Sequence, residues 1–180
     1  MIPRLETERL FMREWRQEDL DAFAAILADP EVMRFLGGST LPRDEAWRNM
    51  ARGAGQWQLR GFGAWAVVRK DDGALVGRVG LLYPEGWPGL EVGWTLGRPY
   101  WGKGYATEAA RAAINYGFLT QNVEKLISLI DPNNAASQAV ARRIGESKGE
   151  RIDHPIGGTS YPFDVWAITR AAWKQNAVLP

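Results

Sequence analysis

Hydrophobic and polar positions along the chain follow two periods, and these periods predict its secondary structure. Alternating or continuous apolar runs predict strands at 10–13, 64–69, 75–83, 90–96, 125–130, 147–152 and 163–169. Apolar residues at helical spacing predict helices at 19–27, 42–59, 105–118 and 135–144. The second of these helices contains Gly53 and Gly55, which are poor helix formers, so we expect it to divide into two pieces.

The order of these elements predicts the fold class. The strands at 64–69 and 75–83 are separated by Lys-Asp-Asp-Gly, a hairpin signal. Residues 90–130 then form strand, helix and strand, and the second strand is apolar on both faces, as buried parallel strands are. The sequence therefore predicts a mixed α/β (α+β) arrangement. No repeat or linker divides the chain, so residues 1–180 are expected to form a single domain.

Composition and charge exclude several function classes. The 180 residues carry a net charge of +1, no cysteine and one histidine, His154. With no cysteine and a single histidine, the chain lacks the usual ligands of a thiolate or zinc site, so no metal is expected, and a Ser-His-Asp triad is disfavoured. The near-zero charge favours neither nucleic acid nor an anionic membrane as a partner. No apolar run is long enough to span a bilayer and the chain starts without a signal-like stretch, so we expect a cytoplasmic location.

A glycine-rich loop between the strand at 90–96 and the following helix carries the densest chemical signal. Gly102 and Gly104 allow a ligand to approach the backbone closely, and Lys103 adds a positive charge. The unpaired N–H groups at the start of a helix suit a phosphate. The loop is interpreted as a phosphate site, although a tight strand-to-helix turn without a ligand has the same pattern.

Two common phosphate loops fit this segment poorly. Gly97 and Gly102-Lys103 match most of a Walker A loop, but Gly104 stands where a Mg²⁺-binding Ser or Thr is needed. Pro99 also removes a backbone donor from that loop. In the dinucleotide fingerprint, Thr107 stands in place of the third glycine. A nucleotide hydrolase and a dinucleotide-binding protein are therefore disfavoured.

The strand that enters the loop has one small, polar face formed by Glu91, Gly93 and Thr95. A face of this kind is too polar and too small to pack against the hydrophobic core, so we expect another group to cover it. Glycine inside a strand indicates either a bulge or a close approach to the backbone, so we expect one of these at Gly93.

Five segments together identify a family resemblance: TERLFMREW, DPEVMRFL, EVGWTL, WGKGYATEA, and NNAAS followed by RRIG. The chain resembles the GNAT superfamily of N-acetyltransferases, and within it the RimJ/RimL-like branch. The resemblance implies a GNAT-like fold. Its central sheet is mostly antiparallel, with six to seven strands and a parallel splayed pair, and is flanked by helices.

The resemblance also implies a reaction. It is transfer of the acetyl group of acetyl-CoA to a primary amine by direct attack in a ternary complex. The acceptor is either a protein N-terminal α-amine or a small molecule, and the protein is a monomer or homodimer. The alternative is a non-catalytic acyl-CoA-binding sensor with the same cleft.

By the same resemblance, the glycine loop and the two splayed strands would bind the co-substrate. Residues implied at the pyrophosphate are Gly102, Lys103, Gly104, Tyr105, Ala106 and Thr107. Residues implied at the pantetheine arm are Trp94, Thr95, Leu96 and Asn134. Arg34 and Phe35 lie in the segment that covers the acceptor in relatives, and Trp87 is a further candidate for the acceptor pocket.

Catalytic roles are assigned to two residues. Glu91 is the candidate base for the attacking amine, and a bulge at 92–94 is expected to free backbone donors for the oxyanion. Many family members protonate the leaving thiolate with a tyrosine, but here that position is Ala141. In the RimJ/RimL-like branch the serine of the N-x-x-S motif is the proposed substitute, which points to Ser137. Its other interpretation is a first-turn serine that bonds its own helix.

Two further positions stand apart from these roles. Glu146 replaces the phenylalanine usual in the family. His154 is expected in a solvated loop.

Overall fold

A computed structural model describes residues 1–156 and 158–177 of the protein. In these residues, eight strands form one sheet. They are β1 (Leu5–Glu6), β2 (Leu10–Arg13), β3 (Ala64–Arg69), β4 (Leu75–Leu82), β5 (Glu91–Leu96), β6 (Lys125–Ile130), β7 (Ser147–Ile156) and β8 (Thr159–Thr169). The helices are α1 (Leu20–Leu27), α2 (Pro30–Met33), α3 (Arg43–Arg60), α4 (Tyr105–Thr120), α5 (Ala135–Arg143) and α6 (Arg170–Ala177).

The strand order across the sheet is β1-β2-β3-β4-β5-β6-β8-β7. Every neighbouring pair is antiparallel except β5 and β6, which are parallel and are connected through α4. Their ladder is confined to one pair of residues, Glu91 and Ile127, after which the two strands diverge. The expected mixed fold with a parallel splayed pair is confirmed.

Both faces of the sheet are covered, and β3 shows why. Its residues alternate between two hydrophobic clusters. Trp65 and Val67 belong to the cluster under α4, whereas Ala66 and Val68 belong to the cluster under α1 and α3. α4 lies close to the sheet because its inner face is mostly alanine and glycine. An added Cβ at Gly117 would lie 3.1 Å from Leu126 Cδ1.

Three expectations from the sequence differ from the structure. Helix α3 is continuous from Arg43 to Arg60, so the expected division is wrong. One face of this helix buries Ala46, Met50 and Trp57 against the sheet. That burial outweighs the roughly 1 kcal/mol by which each internal glycine disfavours a helix.

The strand count is eight rather than six or seven, because the two-residue β1 is too short to show a period. Helices α2 and α6 are also absent from the sequence-based prediction. Among the described residues, no helix combines the length and the apolar character needed to cross a membrane.

Candidate active site

The divergence of β5 from β6 opens a long groove of about 1300 Å³. The groove runs from the splayed strands along the start of α4 and the side of α5. A small cavity of about 90 Å³, lined by Glu91, Arg78 and Ser128 among others, continues from its inner end. The two spaces share Phe35, Leu36, Trp94, Thr95, Asn134 and Ser137 in their linings. A ligand lying in the groove therefore has direct access to the cavity.

The glycine loop forms one end of the long groove. Gly102 and Gly104 have φ of 71° and 81°, a left-handed backbone that glycine adopts without strain. Gly104 is the N-cap of α4, so the first N–H groups of this helix are presented next to the groove. Tyr105, Ala106 and Thr107 line the groove.

Lys103 differs from its neighbours in the loop. Its side chain is exposed and lies outside the groove lining, whereas its carbonyl accepts a hydrogen bond from Arg9 Nη1 at 2.9 Å. The structure therefore shows a backbone contact between Lys103 and Arg9, and Arg9 brings a second positive charge next to the loop.

A clamp between the N-terminal strands and α4 holds the loop in place, and sequence reasoning missed its chemistry. Arg9 Nε donates to Glu108 Oε2 at 2.7 Å, and the Arg9 backbone N–H donates to Glu108 Oε1 at 2.8 Å. Thr7 Oγ1 donates to the same oxygen at 2.6 Å. The signal was present as Thr-Glu-Arg and Thr-Glu-Ala in the family motifs. Arg9 and Glu108, which pair in the structure, are 99 residues apart in the sequence.

A bulge at residues 92–94 was expected to free backbone N–H donors, but in the structure β5 is regular and the donors are exposed by the divergence of β6. The β4–β5 register continues without a shift from Gly77–Leu96 to Leu82–Glu91, so the expected bulge in β5 is wrong. Because peptide groups alternate along a strand and Leu90 O accepts from Ile127 N–H, the Trp94 peptide group also faces the β6 side. Divergence of β6 therefore opens space beside that group. An added Cβ at Gly93 would lie 2.8 Å from Leu82 Cδ1, so a larger residue here would require the Leu82 side chain to move.

Glu91 begins β5 at the inner end of the cavity and is 7% exposed. Its Oε2 accepts a 2.5 Å hydrogen bond from Trp87 Nε1, and its Oε1 accepts a longer one, 3.4 Å, from the Leu129 N–H. Burial raises the pKa of Glu91 to about 7, against opposing effects from these two donors and from the charge of Arg78. A carboxyl group with this pKa can exchange a proton near neutral pH.

Trp87 contacts the Glu91 carboxyl group but is not part of the cavity lining. Its indole N–H orients the carboxylate, and its ring meets the ring of His154 edge-on, with centroids 4.6 Å apart. His154 is part of β7, so its expected place in a loop is wrong. The structure therefore gives Trp87 an orienting contact with Glu91.

Ser137 lies in the first turn of α5, on the wall common to groove and cavity. Asn134 Oδ1 caps the helix by accepting from the Ser137 backbone N–H at 3.0 Å. Trp94 Nε1 donates to Ser137 Oγ at 3.3 Å. An indole nitrogen only donates, so the Ser137 oxygen is the acceptor and its own hydroxyl hydrogen is directed elsewhere. The helix cap thus uses the asparagine side chain, not the serine side chain.

Arg34 and Phe35 directly follow α2 and lie at the mouth of the site. Both line the groove, Phe35 also lines the cavity, and the Arg34 guanidinium lies 5.2 Å from the Phe35 ring centroid. This segment places an aromatic wall opposite β5.

A second buried carboxyl group, Glu146, lies behind the splay and is 4% exposed. Ser128 Oγ lies 2.9 Å from Glu146 Oε1 and 2.7 Å from Val92 O. Burial, with a smaller contribution from the negative charge of Glu91, raises the pKa of Glu146 to about 8 against the opposing effect of the Ser128 hydrogen bond. The single hydroxyl hydrogen of Ser128 cannot be donated to both Val92 O and a Glu146 carboxylate. Both hydrogen bonds form if Glu146 is protonated: its carboxyl donates to Ser128 Oγ, and the Ser128 hydroxyl donates to Val92 O. This chain joins β5 to β6 where their ladder ends.

The buried Glu146 predicts a pH-dependent stability. Its folded pKa of about 8 lies above the ordinary 4.5, so the folded state holds a proton that the unfolded state releases between these values. Stability therefore falls as pH rises from about 5 to 8, by about 2–4 kcal/mol. Glu146→Gln should flatten this decline, measured as urea unfolding from pH 5.5 to 9. The exposed Glu150→Gln serves as the control, and equal slopes for parent and Glu146→Gln would contradict the assignment.

Comparison with known proteins identifies the class. A family model described as "Acetyltransferase (GNAT) domain" matches residues 9–146. The chain is 34% identical over 148 residues to the uncharacterized protein YkkB of Bacillus subtilis, covering 79% of this chain and 84% of YkkB. The structure of the acetyltransferase from Agrobacterium tumefaciens superposes with a TM-score of 0.81 and 29% identity, covering 94% and 96% of the two chains. The fold is thus that of an acetyltransferase domain.

The protein belongs to the GNAT acetyltransferases. Among solved structures, the ribosomal L7/L12 α-N-protein acetyltransferase RimL, crystallised with coenzyme A, has a TM-score of 0.74 at 16% identity, covering 95% of this chain and 98% of that one. At that identity the likeness extends to the fold alone.

Proposed function

We propose that the protein transfers the acetyl group of acetyl-CoA to a primary amine by direct attack in a ternary complex, with residues 1–180 acting as one domain. The observation that carries this proposal is the meeting of groove and cavity. There, a buried carboxyl group with a pKa of about 7 and a serine hydroxyl line the same cavity. The motifs TERLFMREW, WGKGYATEA and NNAAS support a RimJ/RimL-like placement, in which the acceptor is a protein N-terminal α-amine or a small amine.

The chemistry of the long groove lining supports acetyl-CoA as its ligand. The loop at Gly102 and Gly104 and the N-terminus of α4 would hold the pyrophosphate, because unpaired N–H groups and the helix dipole favour an anion. Arg9, Arg111 and Arg143 line the same groove and supply positive charge for further phosphate oxygens. The Trp94 peptide group would bond the pantetheine arm in the manner of an added strand.

The proton balance defines the two catalytic roles. The new bond joins the amine nitrogen to the acetyl carbon, and the bond from that carbon to sulfur breaks. An ammonium acceptor loses two protons overall. Glu91 would accept a proton from the amine, directly or through water, and the Ser137 hydroxyl would give one to the leaving sulfur. The second proton lost by the nitrogen restores the Ser137 hydroxyl, and the proton held by Glu91 leaves to solvent. The products are the acetylated amine and CoA thiol.

Thermal unfolding tests the ligand class. Acetyl-CoA at 100 times its dissociation constant should add about 2.7 kcal/mol, a rise of several degrees in Tm, whereas Mg-ATP should add nothing. The Gly102–Gly104 loop and the groove arginines supply the sites for CoA, but no Ser or Thr follows Lys103 to bind Mg²⁺. Stabilisation by Mg-ATP without stabilisation by CoA would overturn the proposal.

A further inference from the structure

An arginine in the small cavity has no role in the chemistry described above. Arg78 lies on β4 directly opposite Thr95 of β5, and its side chain lines the cavity together with Glu91. Residues paired across an antiparallel ladder project from the same face, so Arg78 shares the face that carries Glu91 and Thr95. A cation therefore lines the same cavity as the proposed base.

The surroundings leave this guanidinium without a counterion. Arg78 Nη1 donates to the neutral Asn49 Oδ1 at 2.6 Å. Within residues 1–156 and 158–177, no carboxylate forms an ion pair with Arg78. The charged groups that act on it are Arg52 of α3, which has the same sign, and Glu91.

The guanidinium of Arg78 and the carboxyl group of Glu91 differ in their charge at neutral pH. Burial lowers the pKa of Arg78 to about 10, so it is a cation at neutral pH. Glu91, with a pKa of about 7, is neutral for part of the time and is committed to Trp87. Asp131 also lines the cavity, but its Oδ1 accepts from the Asn133 N–H in a turn. Both carboxyl groups of the cavity lining are thus held by other partners, and neither forms an ion pair with Arg78.

Arg78 is half-buried in the cavity wall, and its guanidinium offers five donors in a plane that matches a carboxylate. We propose that the acceptor is an amine that also carries a carboxylate, as a free amino acid does, and that Arg78 binds this carboxylate while the amine faces Glu91. This inference rests on the proposed acetyl transfer. It excludes polyamines and aminoglycosides as preferred acceptors, because their additional ammonium groups would be repelled by Arg78.

Matched acceptors test the proposal. Acetyl transfer is measured as CoA thiol release with the twenty amino acids, their C-terminal amides, spermidine and an aminoglycoside. We expect at least one amino acid to exceed its own amide in kcat/KM by about 10²-fold, because a site built to bond a charged group discriminates strongly against its absence. Preference for an amide, a polyamine or an aminoglycoside, or no transfer to any carboxylate-bearing amine, would overturn the inference.

Substitutions at Arg78 separate binding from folding. Arg78→Met should lower kcat/KM for the carboxylate acceptor by about 10²-fold and leave the acetyl-CoA dissociation constant unchanged. Tm should stay close to the parent value, since the substitution removes a half-buried charge that forms no ion pair. Arg78→Lys should recover part of the rate. Arg48→Met, which removes an exposed arginine from α3, is the matched control. Unchanged kcat/KM in Arg78→Met, or a fall explained by lost Tm, would contradict the proposal.

Failure of this inference is distinguishable from failure of the proposed function. If acetyl-CoA does not bind, the transferase proposal itself fails. If acetyl-CoA binds and an uncharged amine is the preferred acceptor, acetyl transfer stands and the role given to Arg78 is wrong.

Discussion

Glu91→Gln is expected to lower kcat/KM for the amine acceptor by about 10²–10⁴-fold, the usual contribution of a positioned general base. Glutamine has the shape of glutamate, and its amide oxygen can still accept from Trp87 Nε1, so the cavity should keep its form. The acetyl-CoA dissociation constant should change little, because Glu91 lies in the cavity and not in the groove lining. Steady-state kinetics and calorimetry with acetyl-CoA measure the two quantities separately.

The pH profile gives the sharper test of Glu91. As a base the carboxyl must be deprotonated, so the parent kcat/KM should rise with pH through about 7 as Glu91 loses its proton. It should rise further as the acceptor amine deprotonates, near about 8 for a free α-amine. The glutamine variant should keep only the second rise and recover part of its rate at high pH.

Glu85→Gln is the matched control for charge, because Glu85 lies in the same loop as Trp87 and is almost fully exposed. It should retain the parent profile. Full activity and an unchanged profile in Glu91→Gln would show that the base is another group. If the parent itself binds acetyl-CoA and transfers acetyl to no amine, the non-catalytic sensor is the correct alternative.

Ser137→Ala is expected to lower kcat by about 10²-fold while KM for the acceptor and the affinity for acetyl-CoA stay close to the parent values. The Ser137 oxygen already accepts from Trp94 Nε1, so its hydrogen is the one available for the leaving sulfur. The helix should remain intact because Asn134 supplies the cap. Single-turnover kinetics establish that chemistry is being measured.

A control and a contrary result complete this test. Ser147→Ala removes an exposed hydroxyl at the start of β7 and should leave kcat unchanged. An unchanged single-turnover rate in Ser137→Ala would mean that the thiolate takes its proton from another donor.

Much of the architecture follows from local pattern. The strand at Lys125–Ile130 is predicted residue for residue, because a short run that is mostly apolar on both faces lies between turn signals. The glycine loop and the start of α4 are equally evident in the sequence, since glycine with positive φ and a helix start are local properties. The motifs around these segments were sufficient to indicate the family.

Two predictions that the structure contradicts, the division of α3 and the bulge in β5, failed for the same physical reason. The division of α3 was expected from two glycines, and burial of Trp57 against the sheet reverses that local preference. The bulge in β5 was expected from Gly93, whereas the glycine accommodates the Leu82 side chain of a neighbouring strand. In both cases a contact distant in sequence supplies free energy that no local propensity contains.

The sequence by itself therefore determined the order of elements, the phosphate-type loop and the candidacy of Glu91 and Ser137, because periodicity, turn chemistry and motif spacing are written locally. Only the tertiary structure decided what surrounds those residues. It placed Trp87 behind Glu91, linked Glu146 through Ser128 to Val92, and set Arg78 in the cavity without a counterion. Burial and charge at a site depend on chain segments brought together by folding, so pKa values and acceptor chemistry emerge only once the sheet has assembled.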